Sequence, residues 1–147
     1  MPSDFTIIRS RKLHFGDEEN YLKDVEPDKD FTGDNLAMLF DCPGVDTSQR
    51  ACLMFQSRDV DTQKNVFKVN GSNIDGGTPD SPSKDTWNGN IMIIEGRLLR
   101  ATSNILRVVA RNDDGGEGGD IDDFILDNIV VMYKTRSTPI TNPTVGV

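Results

Sequence analysis

Histidine, cysteine and tryptophan are nearly missing from this chain: 147 residues hold one histidine, two cysteines and one tryptophan. One histidine and two cysteines cannot complete a four-ligand zinc site without carboxylates. Any Ser-His-Asp or Cys-His mechanism would have to run through His14. Base is also short, with 16 Lys+Arg against 24 Asp+Glu and a net charge of −8. An acidic surface of this kind repels nucleic-acid phosphates and anionic membranes. No apolar run approaches the roughly 20 residues that span a bilayer, so neither a nucleic-acid partner nor membrane insertion is expected. Met1-Pro2-Ser3-Asp4-Phe5 lacks the basic start and the apolar stretch of about 7–15 residues that mark a signal peptide. The expectation is a cytoplasmic protein, one exported by another route, or one whose leader is not in this sequence.

What is present suffices for a core. Apolar residues make up 35% and charged residues 27%, the balance of an ordinary folded domain. The length suits a single domain, which we place over residues 1–136, with Ser137–Val147 (holding Pro139 and Pro143) as an extended tail.

Short runs rich in Val and Ile recur between clusters of Gly, Asn, Asp, Ser and Pro, which is strand patterning. They are Phe5–Arg9, Ala51–Ser57, Val66–Val69, Ile91–Ile94, Ile105–Ala110 and Phe124–Tyr133. Val69 runs into Asn70-Gly71, a hairpin turn dipeptide. Helical periodicity is confined to single turns near Glu18–Lys23 and Arg97–Ala101. The pattern predicts an all-β fold, an antiparallel jelly-roll-like β-sandwich with short helical turns only. Simple alternation puts Phe124, Leu126, Val130 and Met132 on one face of the last strand and Ile125, Ile129, Val131 and Tyr133 on the other. A sandwich strand is normally polar outside, so a loop, the N-terminal segment or another subunit must cover this one.

Cys42 and Cys52 flank Pro43-Gly44, and either close a disulfide loop or serve as two small buried hydrophobes. The stretch Gly71–Asn90 is a long loop of the kind that is functional or mobile. At its end, Trp87 stands among Asp85, Asn88 and Asn90. An aromatic face beside amides and a carboxylate is sugar-binding chemistry; a tryptophan capping one end of the core is the alternative. His14, in Arg11-Lys12-Leu13-His14-Phe15-Gly16, reads as part of a short strand with its imidazole outward. No nucleophile–base pair stands out, and with so many acids a carboxylate pair carries no information. An enzyme is not expected.

Acid is concentrated in two segments. Residues 17–34 hold eight acids against Lys23 and Lys29, and residues 112–127 hold seven and no base. In the second, Asp113-Asp114-Gly115-Gly116-Glu117-Gly118-Gly119-Asp120-Ile121-Asp122-Asp123 offers hard oxygens on a backbone freed by glycine, which suits Ca²⁺. It is not an EF-hand, and a single copy does not make a stacked calcium repeat. A solvated acidic loop is the other reading. Asp127 sits within an apolar strand, so it must be paired, metal-bound or at an edge. Asp59 and Asp61 read as a strand-end turn.

The order of these signals resembles the galactose-binding-domain-like jelly rolls found as carbohydrate-binding modules. The resemblance rests on Val66-Phe67-Lys68-Val69-Asn70-Gly71, the Trp87 loop, Ile91–Ile94, Asn104–Asn112 and Asp123–Val131, roughly residues 50–134. It implies a loop-borne ligand site and a structural calcium, held by a last-strand carboxylate with acids from near the N-terminus. Asp127 is the matching position; Asp120, Asp122, Asp123 and Glu18, with Asp17 and Glu19 beside it, are the further candidates. The expected function is a non-catalytic carbohydrate-binding module. The alternative is a structural subunit of a homo-oligomeric surface, filament or phage-like assembly.

Overall fold

A computed structural model describes residues 2–74, 81 and 85–136. The strands are β1 (Ser3–Arg9), β2 (Leu13–Phe15), β3 (Asp30–Gly33), β4 (Asn35–Phe40), β5 (Ala51–Arg58), β6 (Val66–Val69), β7 (Ser72–Asn73), β8 (Asn88–Ile94), β9 (Asn104–Val109) and β10 (Phe124–Lys134). The one helical element among the described residues is a 3-10 turn at Gly96–Leu98. No helix there is long and apolar enough to cross a membrane. The predicted tail and residues 75–80 and 82–84 of the predicted Gly71–Asn90 loop lie outside the described residues.

Two sheets form the sandwich. The larger runs β3-β2-β10-β5-β8, with β1 also on β10; the smaller runs β4-β9-β6-β7. β2 takes the first part of β10, at Phe124–Leu126, and β1 takes the rest, from Ile129 to Lys134. All pairings are antiparallel except β2 with β3. Asn70 and Gly71 both have positive φ, 50° and 86°, as the turn dipeptide requires, and join β6 to β7. Alternation sends Leu53 and Phe55 of β5, Phe67 and Val69 of β6, and Leu106 and Val108 of β9 into one core between the sheets.

β10 departs from simple alternation. Its register with β5 shifts between Asp127 and Val130, and Asn128 takes φ 51°. This bulge inserts a residue and reverses the phase. Phe124, Leu126, Ile129, Val131 and Tyr133 therefore all join the core, while Ile125 does not. Ile125, Asp127, Val130 and Met132 fall on the outer face, which corrects the faces expected from period two. Two rows of side chains cross that face. One joins Phe5, Met132, Cys52 and Ile93; the next joins Ile7, Val130, Met54 and Ile91. Ile91 is 68% exposed, Met132 43% and Ile93 40%. Further along, Ile125 is fully buried, because the segment between β2 and β3 lies over it: Glu26 reaches Arg58, the register partner of Ile125. A loop thus covers one part of the outer face, and nothing among the described residues covers the other.

Both cysteines are free. Cys42 is buried, which pushes its thiol up to about 12, while Cys52 lies half-buried in the outer row.

Candidate functional site

Two polar constellations stand out, one at the end of the sandwich where β10 begins and one on the outer face of the larger sheet.

The first is an acidic cleft of about 300 Å³ lined by Glu18, Tyr21, Asp61, Asp113, Asp120, Ile121, Asp122 and Asp123. Two of its lining residues, Glu18 and Asp123, meet Asp17, and each of the three offers a carboxylate oxygen within 4.8 Å of the others. Asp123 is fixed from three sides. Its Oδ1 meets His14 Nε2 at 2.8 Å and accepts the Glu18 N–H at 3.1 Å. It also lies against Gly16, at φ 136°, where a Cβ would come within 2.1 Å of the same oxygen. Glycine at 16 is thus what lets the segment turn over the carboxylate. Burial, then the neighbouring Asp123 charge, pushes the Asp17 carboxyl above its ordinary value. His14 is therefore not outward in solvent as its strand suggested. It is fully buried, edge-on to Phe31, and serves to hold Asp123.

The other acids divide by role. Asp122 accepts from the N–H groups of Asp61 and Thr62 and from Asn65 Nδ2 at 2.7 Å, so its carboxylate organises the chain after β5. Burial nonetheless pushes it up to about 6, against the pull of those bonds. The buried Asp59 carboxylate close to the Tyr21 hydroxyl, with burial, raises the phenol. The glycine-rich loop closes on Asn112, whose Oδ1 accepts from Asp114 and Gly116 and whose Nδ2 donates to Gly118. Glu117 pairs with Arg111. Asp127 is not brought to the cleft: it lines a separate hollow with Ser10, Arg11, Lys12 and Asp28.

The second constellation surrounds Glu26, a buried carboxylate. It pairs with Lys12 at 2.7 Å and Arg58 at 2.8 Å, and accepts the Trp87 indole N–H at 3.2 Å. Burial works against its charge, but the bonds from Lys12, Arg58 and Trp87 prevail and hold the carboxyl below its ordinary value. Trp87 is half-buried and outside the core cluster, so it does not cap the core. One step along β5 from Arg58, Gln56 accepts from Asn128 Nδ2 at 2.8 Å, and both amides are exposed. The bulge in β10 is what turns Asn128 outward. Of the residues expected beside Trp87, Asn90 donates to Ser57 on the inner side. Asn88 donates to Thr86, and Asp85 is exposed.

No protein-family model matches the chain, and no curated protein matches it by sequence. Several solved structures are similar to it, among them two carbohydrate-related proteins. One is BpGH86A, a beta-porphyranase of glycoside hydrolase family 86 from the human gut bacterium Bacteroides plebeius, 20% identical over 71% of this chain, with a TM-score of 0.46. The chain spans only 18% of that enzyme's length. The other is CBM35 from Paenibacillus barcinonensis, 19% identical over 63% of this chain and 70% of its own, with a TM-score of 0.38.

Sequence reasoning missed Glu26, Arg58, Gln56 and Asn128. A usable signal existed for Asn128 alone: asparagine is one of the few residues that tolerate positive φ, and it interrupts an otherwise apolar strand.

Proposed function

We propose that this chain is a non-catalytic carbohydrate-binding module that holds its glycan on the polar part of the outer face of the larger sheet. The observation that carries this reading is Trp87 pinned by its indole N–H to Glu26, beside the exposed Gln56–Asn128 amide pair. A tryptophan fixed by its polar edge offers a preorganised apolar surface to sugar C–H groups, while paired amides give both donors and acceptors to hydroxyls. Calcium is the metal we assign, at Asp17, Glu18 and Asp123. Their donors are hard carboxylate oxygens of the type it takes, with water or carbonyl oxygens filling a shell of about six to eight. The role is structural, since it would tie the segment after β2 to the start of β10.

Trp87 is the sole tryptophan, so its fluorescence reports directly on the site. Titration with soluble neutral polysaccharides should shift its emission, and Gln56→Ala, read the same way, and Trp87→Ala, read by calorimetry, should each weaken binding by about tenfold or more. A folded Gln56→Ala variant that binds like the parent would place the glycan elsewhere, and a panel of glycans with no binder would remove the reading.

A second reading, an assembly subunit, is favoured by the uncovered apolar rows on the same sheet.

A further inference from the structure

We propose that two copies of this chain pack face to face through the apolar rows of the larger sheet, related by a two-fold axis that passes between the Val130 and Met132 rows. This rests on the second reading, that copies associate, and adds the surface, the symmetry and the register.

Three observations select this occupant. The rows carry eight side chains and no charge, so they offer a foreign partner nothing to orient against, whereas a two-fold interface asks only that a surface complement itself. The outer face of β10 also has that self-complementarity built in. Opposite Gln56, Met54 and Cys52 stand Asp127, Val130 and Met132, and Lys134 follows one further step along the same face. The order is acid, apolar, apolar, base. Turned over by the two-fold, Lys134 of each copy meets Asp127 of the other. Within one copy, among the described residues, Lys134 Nζ donates to the Ser3 hydroxyl, and Asp127 accepts the Asn128 N–H at the edge of the hollow it shares with Arg11 and Lys12. Finally, charge does not oppose the encounter. The acidic cleft adjoins Asp123, eight residues from Val131 along β10, roughly 25 Å at strand rise. That is more than two screening lengths at physiological salt.

The size fits a modest dimer. Two rows across four strands cover on the order of 250 Å². Adding the flanking rows of Asp127 and of Lys134 doubles this to about 500 Å², against roughly 800 Å² per partner in a standard interface; the Asp127 row includes Gln56, so this dimer and a glycan on that amide exclude each other. An apolar centre with a charged rim is the usual anatomy of such contacts.

The test is light scattering on the full chain across a wide concentration range, with Ile93→Lys, Met132→Lys, Asp127→Lys, Lys134→Asp and the double reversal Asp127→Lys/Lys134→Asp. All these side chains lie on the outer face, and an unchanged thermal midpoint confirms folding; Ile91→Lys, at a still more exposed position, replaces any variant that melts early. The expected result is a dimer that loses at least about tenfold in affinity in either apolar-to-lysine variant. It should weaken in each single reversal and recover in the double. A parent that stays monomeric at the highest concentration overturns both the assembly reading and this interface. A dimer indifferent to Ile93→Lys and Met132→Lys leaves the assembly reading standing and overturns the face. Loss in those variants without recovery in the double reversal overturns the two-fold register.

Discussion

Glu26 shows how one side chain can set a surface. It is buried in a chain already rich in acid, and only its three donors make that tolerable. Because those donors hold its folded pKa below the free value of 4.5, the unfolded chain takes up this proton first as pH falls. Its contribution is therefore complete above about pH 5 and is lost as pH drops through the folded value. Glu26→Gln should cost about 1–3 kcal/mol at neutral pH, since it removes the carboxylate that Lys12 and Arg58 share, although Lys12 keeps Asp28. It should also flatten the decline in stability below pH 5. Urea unfolding at several pH values reads both effects; a variant with the parent's acid slope would show that other carboxylates govern it. The Trp87 anchor goes with Glu26, so the same variant should weaken glycan binding.

At the scale of elements, β10 decides most of the architecture, since it pairs with β5, β1 and β2 in turn. Its bulge needs a residue at φ 51°, which asparagine accepts and a β-branched residue does not. Asn128→Val should therefore lower stability by about 1–2 kcal/mol, whereas Asn128→Gly should stay within a few tenths. A thermal melt ranking the two in the opposite order would mean that the bulge is not held by this residue. The same element marks where sequence patterning succeeds and stops. β5, β6, β8, β9 and β10 were legible because their Val, Ile and Phe runs ended at turn residues. β4 was not: Asn35-Leu36-Ala37-Met38-Leu39-Phe40 contains no β-branched residue, and it becomes a strand because all six positions pair with β9. β3 was hidden in an acidic segment, and its partner β2 lies parallel to it. Alternation along β10 was readable only as far as Asp127, since a bulge leaves no period to count. The acids of the cleft were visible as composition. That Glu18 would meet Asp123, 105 residues away, and that Trp87 would meet Glu26, 61 residues away, depends on pairing that no local pattern encodes.

For the whole molecule, the net charge of −8 is distributed so that repulsion is local. The segments around 17–34 and 112–127 fold against each other, so Asp17, Glu18, Asp61, Asp113, Asp120, Asp122 and Asp123 crowd one end. At a few ångströms each exposed like-charge pair costs on the order of 1 kcal/mol even in water, and the Asp123 charge adds to burial in raising the Asp17 carboxyl. A divalent cation between Asp17, Glu18 and Asp123 would reverse the sign and, by binding only the folded state, raise stability by mass action. Millimolar Ca²⁺ should raise the thermal midpoint, and EDTA should remove the gain. Glu18→Gln and Asp17→Asn should each abolish most of it. Asp127→Ala should keep it, because that carboxylate lies in a different hollow. Monovalent salt supplies the control, since screening relieves repulsion without any site. If NaCl at matched ionic strength gives the same shift as CaCl₂, the cleft is relieved by screening alone and holds no metal. If Asp127→Ala removes the shift while Glu18→Gln does not, the ion sits with Asp28 and Asp127 instead.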